Sequence, residues 1–254
     1  MKQLITLLLL FSSFAQAQFY EVEYETQVKR EYTEKGLKWF EDNEPNLSER
    51  KKVIELNENP PKEYFQYIFN ETEANLSYIK KVNNSQGEIH RFIIMPDNLS
   101  TNYNYYNYPT NQFLKEFDLY GRKFIITNSL IPLDFVDTND TKEILGYNAK
   151  KAIATYKDKN IVFWYTDQIK YNYSPDIYIG VKGFVLEEQI TVENEDGKTI
   201  TKIGAIKIKP TKKVKIIKPT KGEKVSDKEL NKIIKETNRK RDEMFEETNG
   251  VDKK

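Results

Sequence analysis

The chain has 254 residues, with 40 Lys+Arg against 39 Asp+Glu, one histidine and no cysteine. That balance excludes a general electrostatic attraction to nucleic acid or to an anionic membrane. The lack of cysteine excludes a disulfide framework and thiol chemistry, so stability must come from buried apolar area, which a chain this long can supply.

The N-terminus reads as a secretory leader. Lys2 supplies the positive charge, Leu4 to Phe11 is apolar except for Thr6, and Ala15-Gln16-Ala17 offers a small-x-small cleavage pattern. The apolar run is too short for a spanning helix, which needs about 20 residues. No cysteine follows it, so the expected product is not a lipoprotein but a soluble exported protein of the periplasm or cell exterior, with no membrane span in the mature chain.

Beyond the leader, period-2 alternation dominates. Tyr20, Val22, Tyr24, Thr26 and Val28 share one face, with glutamates on the other, which predicts a half-buried strand. Residues 63–69, 89–94 and the run from Lys123 read as further strands. The polar, Pro-flanked stretch 40–62 reads as a loop or short edge insertion, and Asn/Tyr-rich 97–112 as a long exposed loop. KAIATY and IVFWYT around Lys157-Asp158-Lys159-Asn160 predict one hairpin. FVLEEQITV and TITKIGAIKI around Asn194-Glu195-Asp196-Gly197 predict a second. Residues 205–225 hold eight lysines and one glutamate, with the run IKPTK at both Ile208 and Ile217. Prolines there suit an edge strand protected from further pairing. Ser226-Asp227-Lys228-Glu229 is a capping box, and Leu230, Ile233 and Ile234 follow at helical spacing, so a helix is expected over 227–247. The expected organisation is a leader (1–17), an antiparallel β domain (18–225), and a C-terminal helix and tail (226–254).

Three motifs in order carry a family resemblance: KEILGYNAKKA (Lys142 to Ala152), WYT (Trp164 to Thr166) and GVKGFVL (Gly180 to Leu186). Together they resemble the GLPGLI family of exported proteins of two-membraned bacteria. The matching positions are Gly146, Tyr147, Lys151, Ala152, Trp164, Tyr165, Thr166, Gly180 and Gly183. The chain departs from the pattern at Val181-Lys182 and Phe184-Val185, and has Asn148 where many members carry a cysteine. The resemblance implies an exported β protein and brings no established activity with it.

Few candidate sites stand out. Trp164, Tyr147, Phe135 and Phe184 are the expected wall of an apolar cavity. Tyr103, Tyr105, Tyr106, Tyr108, Tyr171 and Tyr173, with Tyr178, are the expected exposed rim of that cavity. Gly180 and Gly183 frame a turn, and no helix follows that would make them a phosphate loop. Asp134, Asp137, Asp140 and Glu143 lack EF-hand spacing and read as a solvated acidic turn. With His90 as the sole histidine and no cysteine, a nucleophilic triad would have to use that one residue and an N/S-ligand metal site would have at most one ligand. No metal or cofactor is implied, and no catalytic role is expected. The fold expected is mainly β, a curved antiparallel half-barrel with a C-terminal helix, similar in outline to the periplasmic lipoprotein carriers. The function expected is non-catalytic carriage of an apolar small molecule or lipid. The alternative is an accessory subunit bound to an envelope protein at an outer-membrane transporter or surface assembly.

Overall fold

The computed structural model describes residues 19–43, 46–79, 103–212 and 214–251. The leader, the expected strand at 89–94 and His90 lie outside them. The first half contains β1 (Phe19–Tyr32), α1 (Glu34–Asn43), α2 (Leu47–Glu58), β2 (Glu63–Phe69), β3 (Glu73–Tyr78), β4 (Tyr103–Asn107), β5 (Gln112–Leu119) and β6 (Arg122–Ser129). The second half contains β7 (Ile131–Pro132), β8 (Val136–Ile144), β9 (Tyr147–Tyr156), β10 (Lys159–Thr166), β11 (Tyr178–Ile179), β12 (Phe184–Asn194), β13 (Gly197–Thr211), β14 (Glu223–Val225) and α3 (Asp227–Val251).

Among the described residues, twelve strands form one sheet in the order β14-β6-β5-β4-β3-β2-β1-β13-β12-β10-β9-β8. The two edges, β14 and β8, do not meet, so the sheet is curved and open. All its pairings are antiparallel except β14 with β6. The long central ladder runs from Phe19↔Thr211 to Tyr32↔Gly197, with a bulge at Glu23/Tyr24. The alternation in β1 is realised as read, with Val22, Tyr24 and Thr26 buried. Both hairpins form. The first turn is tighter than its sequence suggests, because Lys159 and Asn160 already pair with Tyr156 and Thr155. The β8–β9 turn uses Leu145 and Gly146, both at positive φ, which is the type I′ geometry that a two-residue hairpin favours.

One face of the central sheet is covered by the irregular segments before β8 and before β12, joined by a short parallel pairing of β7 and β11. Tyr171, Tyr173, Phe184 and Leu186 pack there with Tyr24, Tyr67 and Phe69. Tyr178 and Val181 pack with Ile161, Phe163 and Val185. At the far end, Leu230 of α3 packs on Phe124 and Ile126, and the Ser226/Glu229 capping box is closed by reciprocal hydrogen bonds.

Three expectations change. Residues 40–62 hold the end of α1 and the whole of α2, which Asn46 caps by accepting from the backbone N–H groups of Ser48 and Glu49. The prolines misled here, since Pro60 and Pro61 mark only the end of the helical stretch. Of the expected exposed loop 97–112, residues 103–107 are strand β4. Tyr105 and Tyr106 are 1% and 0% exposed, because β4 is covered on both faces. Tyr106 enters the main core, while Tyr105 lies under Ile216 from the lysine-rich segment. Both hydrogen-bonding groups of the Ile217 backbone hold that segment to the Asn75 side chain, at 2.7 and 3.1 Å. Pro210 does sit where β13 has outrun β12 and pairs only with β1, but Pro219 lies outside any strand.

Candidate functional site

Beside the main core, against which Trp164 packs, the central sheet carries a polar stretch whose register builds a groove. Lys151, Trp164, Glu187, Gly204 and Glu25 are successive cross-strand partners on β9, β10, β12, β13 and β1. One pleat along, Val162, Gln189, Lys202 and Gln27 form a parallel row. Side chains two residues apart on a strand share a face, so the two rows stand side by side. Together with Lys142 of β8 they line a cavity of about 550 Å³.

Its electrostatics are internally compensated. The Lys142 ammonium sits 4.3 Å over the Trp164 ring and is ion-paired with Glu187. Lys151 stands 5.9 Å from the same ring and pairs with Asp140 at 2.9 Å. Its ammonium, by hydrogen bond and charge, holds the Asp140 carboxyl below the usual carboxylate range. Glu25 pairs with Lys62 at 2.8 Å, and the Gln27 amide donates to the Pro60 carbonyl at 2.9 Å. The groove thus offers one half-buried indole among fixed carboxylates, amides and ammonium groups.

The next residue on β12 belongs to the other face. Glu188 and Asp176 are each 2% exposed, and their carboxyls lie side by side. Ser174 Oγ is 3.4 Å from Glu188 Oε2 and accepts from the Asp176 N–H at 3.1 Å. Glu188 Oε1 is buried without a hydrogen-bond partner. Burial, reinforced by the Asp176 charge, pushes the Glu188 carboxyl well above the usual range.

Of the residues expected to wall one cavity, three meet at the first core cluster and Phe135 does not. Trp164 lines the polar groove and packs against that cluster. Phe184 is fully buried in the main core, Phe135 stacks on Phe163 at 4.5 Å in the second core cluster, and Tyr147 packs against the edge of the first. The expected rim is core as well: Tyr108 and Tyr173 stack at 3.5 Å, Tyr171 is buried, and the Tyr106 hydroxyl donates to the Pro175 carbonyl at 2.7 Å. Tyr103 takes its register in β4 opposite Ser77 and Glu116. Of the acidic stretch, Asp137, Asp140 and Glu143 lie in strand β8 and Asp134 just before it, with Asp137 accepting from the Tyr165 hydroxyl at 2.8 Å. Glu187, Gln189, Gln27 and Gly204 escaped notice in the sequence. The signal available was Glu187-Glu188 in mid-strand, since adjacent acids in a strand must point to opposite faces.

Comparison with known proteins then places the chain. Residues 97–232 match the family described as "N-glycanase peptide, N-terminal domain". Two solved structures of PNGF-II, in C2 and P21 crystal forms, share the fold with a TM-score of 0.51 each, at 18% and 20% identity. Each comparison covers 86% of this chain and 33% of the other, so this chain spans about a third of the length of those proteins. No curated protein matches.

The matched stretch contains all three motifs behind the GLPGLI resemblance, and that resemblance is overturned. The motif positions follow from sheet mechanics. Gly146 makes a hairpin turn at φ +81°, and a Cβ on Gly180 would lie 2.1 Å from the Leu133 carbonyl oxygen. Ala152 and Thr166 are fully buried. Turn and packing requirements of this kind recur among unrelated curved sheets. The apolar-carrier and accessory-subunit readings fall with it, because the family points to glycan chemistry.

Proposed function

We propose, from the premise that this chain belongs to the N-glycanase peptide N-terminal domain family, that it is a carbohydrate-handling domain whose polar groove receives the glycan of an N-glycosylated substrate. The observation that carries this reading is the Trp164 row. An indole flanked in register by Glu187 and Lys151, with Lys142 over its ring and Gln189 and Gln27 alongside, sets a half-buried aromatic side chain among hydroxyl-binding groups.

The domain's own part is to grip rather than to cleave. General acid–base catalysis needs a group of tuned pKa within reach of the substrate. Asp140, beside the groove, is held ionised by Lys151, which suits it to accept hydroxyl hydrogen bonds. The carboxyl whose pKa is raised, Glu188, belongs to a residue that borders the same cavity but is only 2% exposed and is packed with Asp176. The leader-like N-terminus fits work outside the cytosol. Among the described residues, no helix is long and apolar enough to cross a membrane.

Calorimetric titration with an N-glycosylated glycopeptide and with the same peptide lacking its glycan tests the reading. Glycan-dependent binding that Trp164→Ala weakens at least tenfold is expected. Equal affinity for both peptides would sink the reading, and release of free glycan by the domain alone would overturn its non-catalytic part.

A further inference from the structure

Gly204 sits in the interior of β13, between Glu187 of β12 and Glu25 of β1. A glycine in a strand interior weakens the strand, and usually marks a positive φ, a bulge or a close backbone approach. Gly204 is absent from the positive-φ glycines, and its own pairings with Glu25 and Glu187 stay in register, the bulge of the β1–β13 ladder following only at Ile206. A Cβ built there would meet only Glu187 Cγ, at 3.8 Å, an ordinary contact. Other glycines of the chain behave differently: a Cβ on Gly183 would lie 2.4 Å from the Thr166 carbonyl oxygen, and one on Gly180 2.1 Å from that of Leu133. The fold demands those two glycines and makes no such demand of Gly204.

What the missing side chain does is open the floor of the groove. Neighbouring strands lie about 4.8 Å apart, so the backbones of Glu187 and Glu25 stand roughly 9.6 Å apart across the bare Gly204 strand. Trp164 flanks Glu187 on one side, and Gln189, Lys202 and Gln27 form the adjacent row. We infer that Gly204 is the specificity-determining floor of a subsite for one uncharged sugar ring, whose hydroxyls are read by Glu187 and Glu25. This inference rests on the carbohydrate reading above and narrows it. The uncharged class follows from where the charges stand: Lys142 is committed to Glu187, Lys151 to Asp140 and Lys62 to Glu25, and Lys202 stands one pleat away, so the charges directly flanking the Gly204 floor are the two carboxylates. Ionised carboxylates accept strongly from hydroxyl donors, and they disfavour a second carboxylate between them.

The test uses Gly204→Val and Gly204→Ala, an asparagine-linked neutral oligosaccharide glycopeptide, and its sialylated counterpart. A β-branched residue suits a strand, so Gly204→Val should leave Tm unchanged or raised while weakening binding of the neutral glycopeptide at least tenfold, with Gly204→Ala between it and wild type. Wild-type affinity for the neutral ligand should change less than twofold between low and high salt. Undiminished binding by Gly204→Val would overturn the subsite while leaving the broader reading intact. A fall in Tm for both variants would overturn it too, since glycine would then be a requirement of the fold. Tighter, steeply salt-dependent binding of the sialylated form would overturn the uncharged class. Failure of the wild-type chain to bind either glycopeptide would remove the carbohydrate reading itself.

Discussion

Replacing Glu188 with Gln tests the buried carboxyl pair through the pH dependence of stability. In the fold, burial and the neighbouring Asp176 raise the Glu188 pKa well above its ordinary value of 4.5. The native chain therefore holds a proton that the unfolded chain releases above about pH 4.5, and stability falls as pH climbs through that window toward the folded pKa. The contribution is complete below the unfolded value and lost above the folded one. For a single proton the slope is at most about 1.4 kcal/mol per pH unit. For a chain of this size that corresponds to roughly 3–6 °C of Tm per pH unit. The groups facing the pair from neighbouring elements are Ser174 and the hydroxyls of Tyr24, Tyr106 and Tyr178, none of which supplies a cation. Glutamine keeps the shape and a donor toward Asp176 while removing the titration. Urea or thermal unfolding of both proteins at half-unit intervals from pH 4 to 9 gives a difference curve from which the groups away from the Glu188–Asp176 pair cancel. The expected curve is near zero at the acid end and rises steadily in favour of Glu188→Gln. Parallel profiles, or a constant deficit for the variant, would refute the reasoning.

Two further substitutions probe the parts of the fold that carry the groove. Gly183→Ala forces a Cβ to within 2.4 Å of the Thr166 carbonyl oxygen and 2.7 Å of the Tyr165 ring. Because the first of these is backbone, relief must come from main-chain movement, and a loss of about 3 kcal/mol is expected in chemical denaturation. Asn75→Ala removes the side chain that holds both the N–H and the C=O of Ile217. A loss of about 1–3 kcal/mol is expected, together with faster hydrogen exchange at the Ile217 amide and the segment around it. Unchanged exchange there would mean that the segment is held by packing of Ile216 alone.

The sheet was legible in the sequence wherever one face is buried and the other wet. β1, β2, β10 and β13 alternate between buried and more exposed positions, and the capping box marked the start of α3 to the residue. Legibility failed where a strand is covered twice. Tyr105 and Tyr106 lie on opposite faces of β4 and both are buried, because the lysine-rich segment folds back over one of them. No local pattern encodes that return, which depends on Asn75 some 142 positions away from Ile217. The tyrosine density therefore looked like loop surface and is core. The site was legible only at Trp164. Its companions come from five other strands, and the bulge at Trp164/Tyr165 shifts the β10–β12 register, so which residues flank Trp164 could not be read from spacing. Gly204 was invisible for a further reason: a glycine inside a strand carries meaning only once its surroundings show that the backbone does not require it.

The central claim is that a glycan sits against Trp164. The chain has two tryptophans, and the other, Trp39, is exposed on α1. Trp39→Phe makes Trp164 the sole indole, so its emission reports the groove alone. Titrating this protein with the neutral N-linked glycopeptide should shift the emission to the blue and saturate at the affinity found by calorimetry, while the glycan-free peptide leaves the spectrum unmoved. Binding by calorimetry with no change in Trp164 emission would place the glycan elsewhere on the molecule and contradict the account.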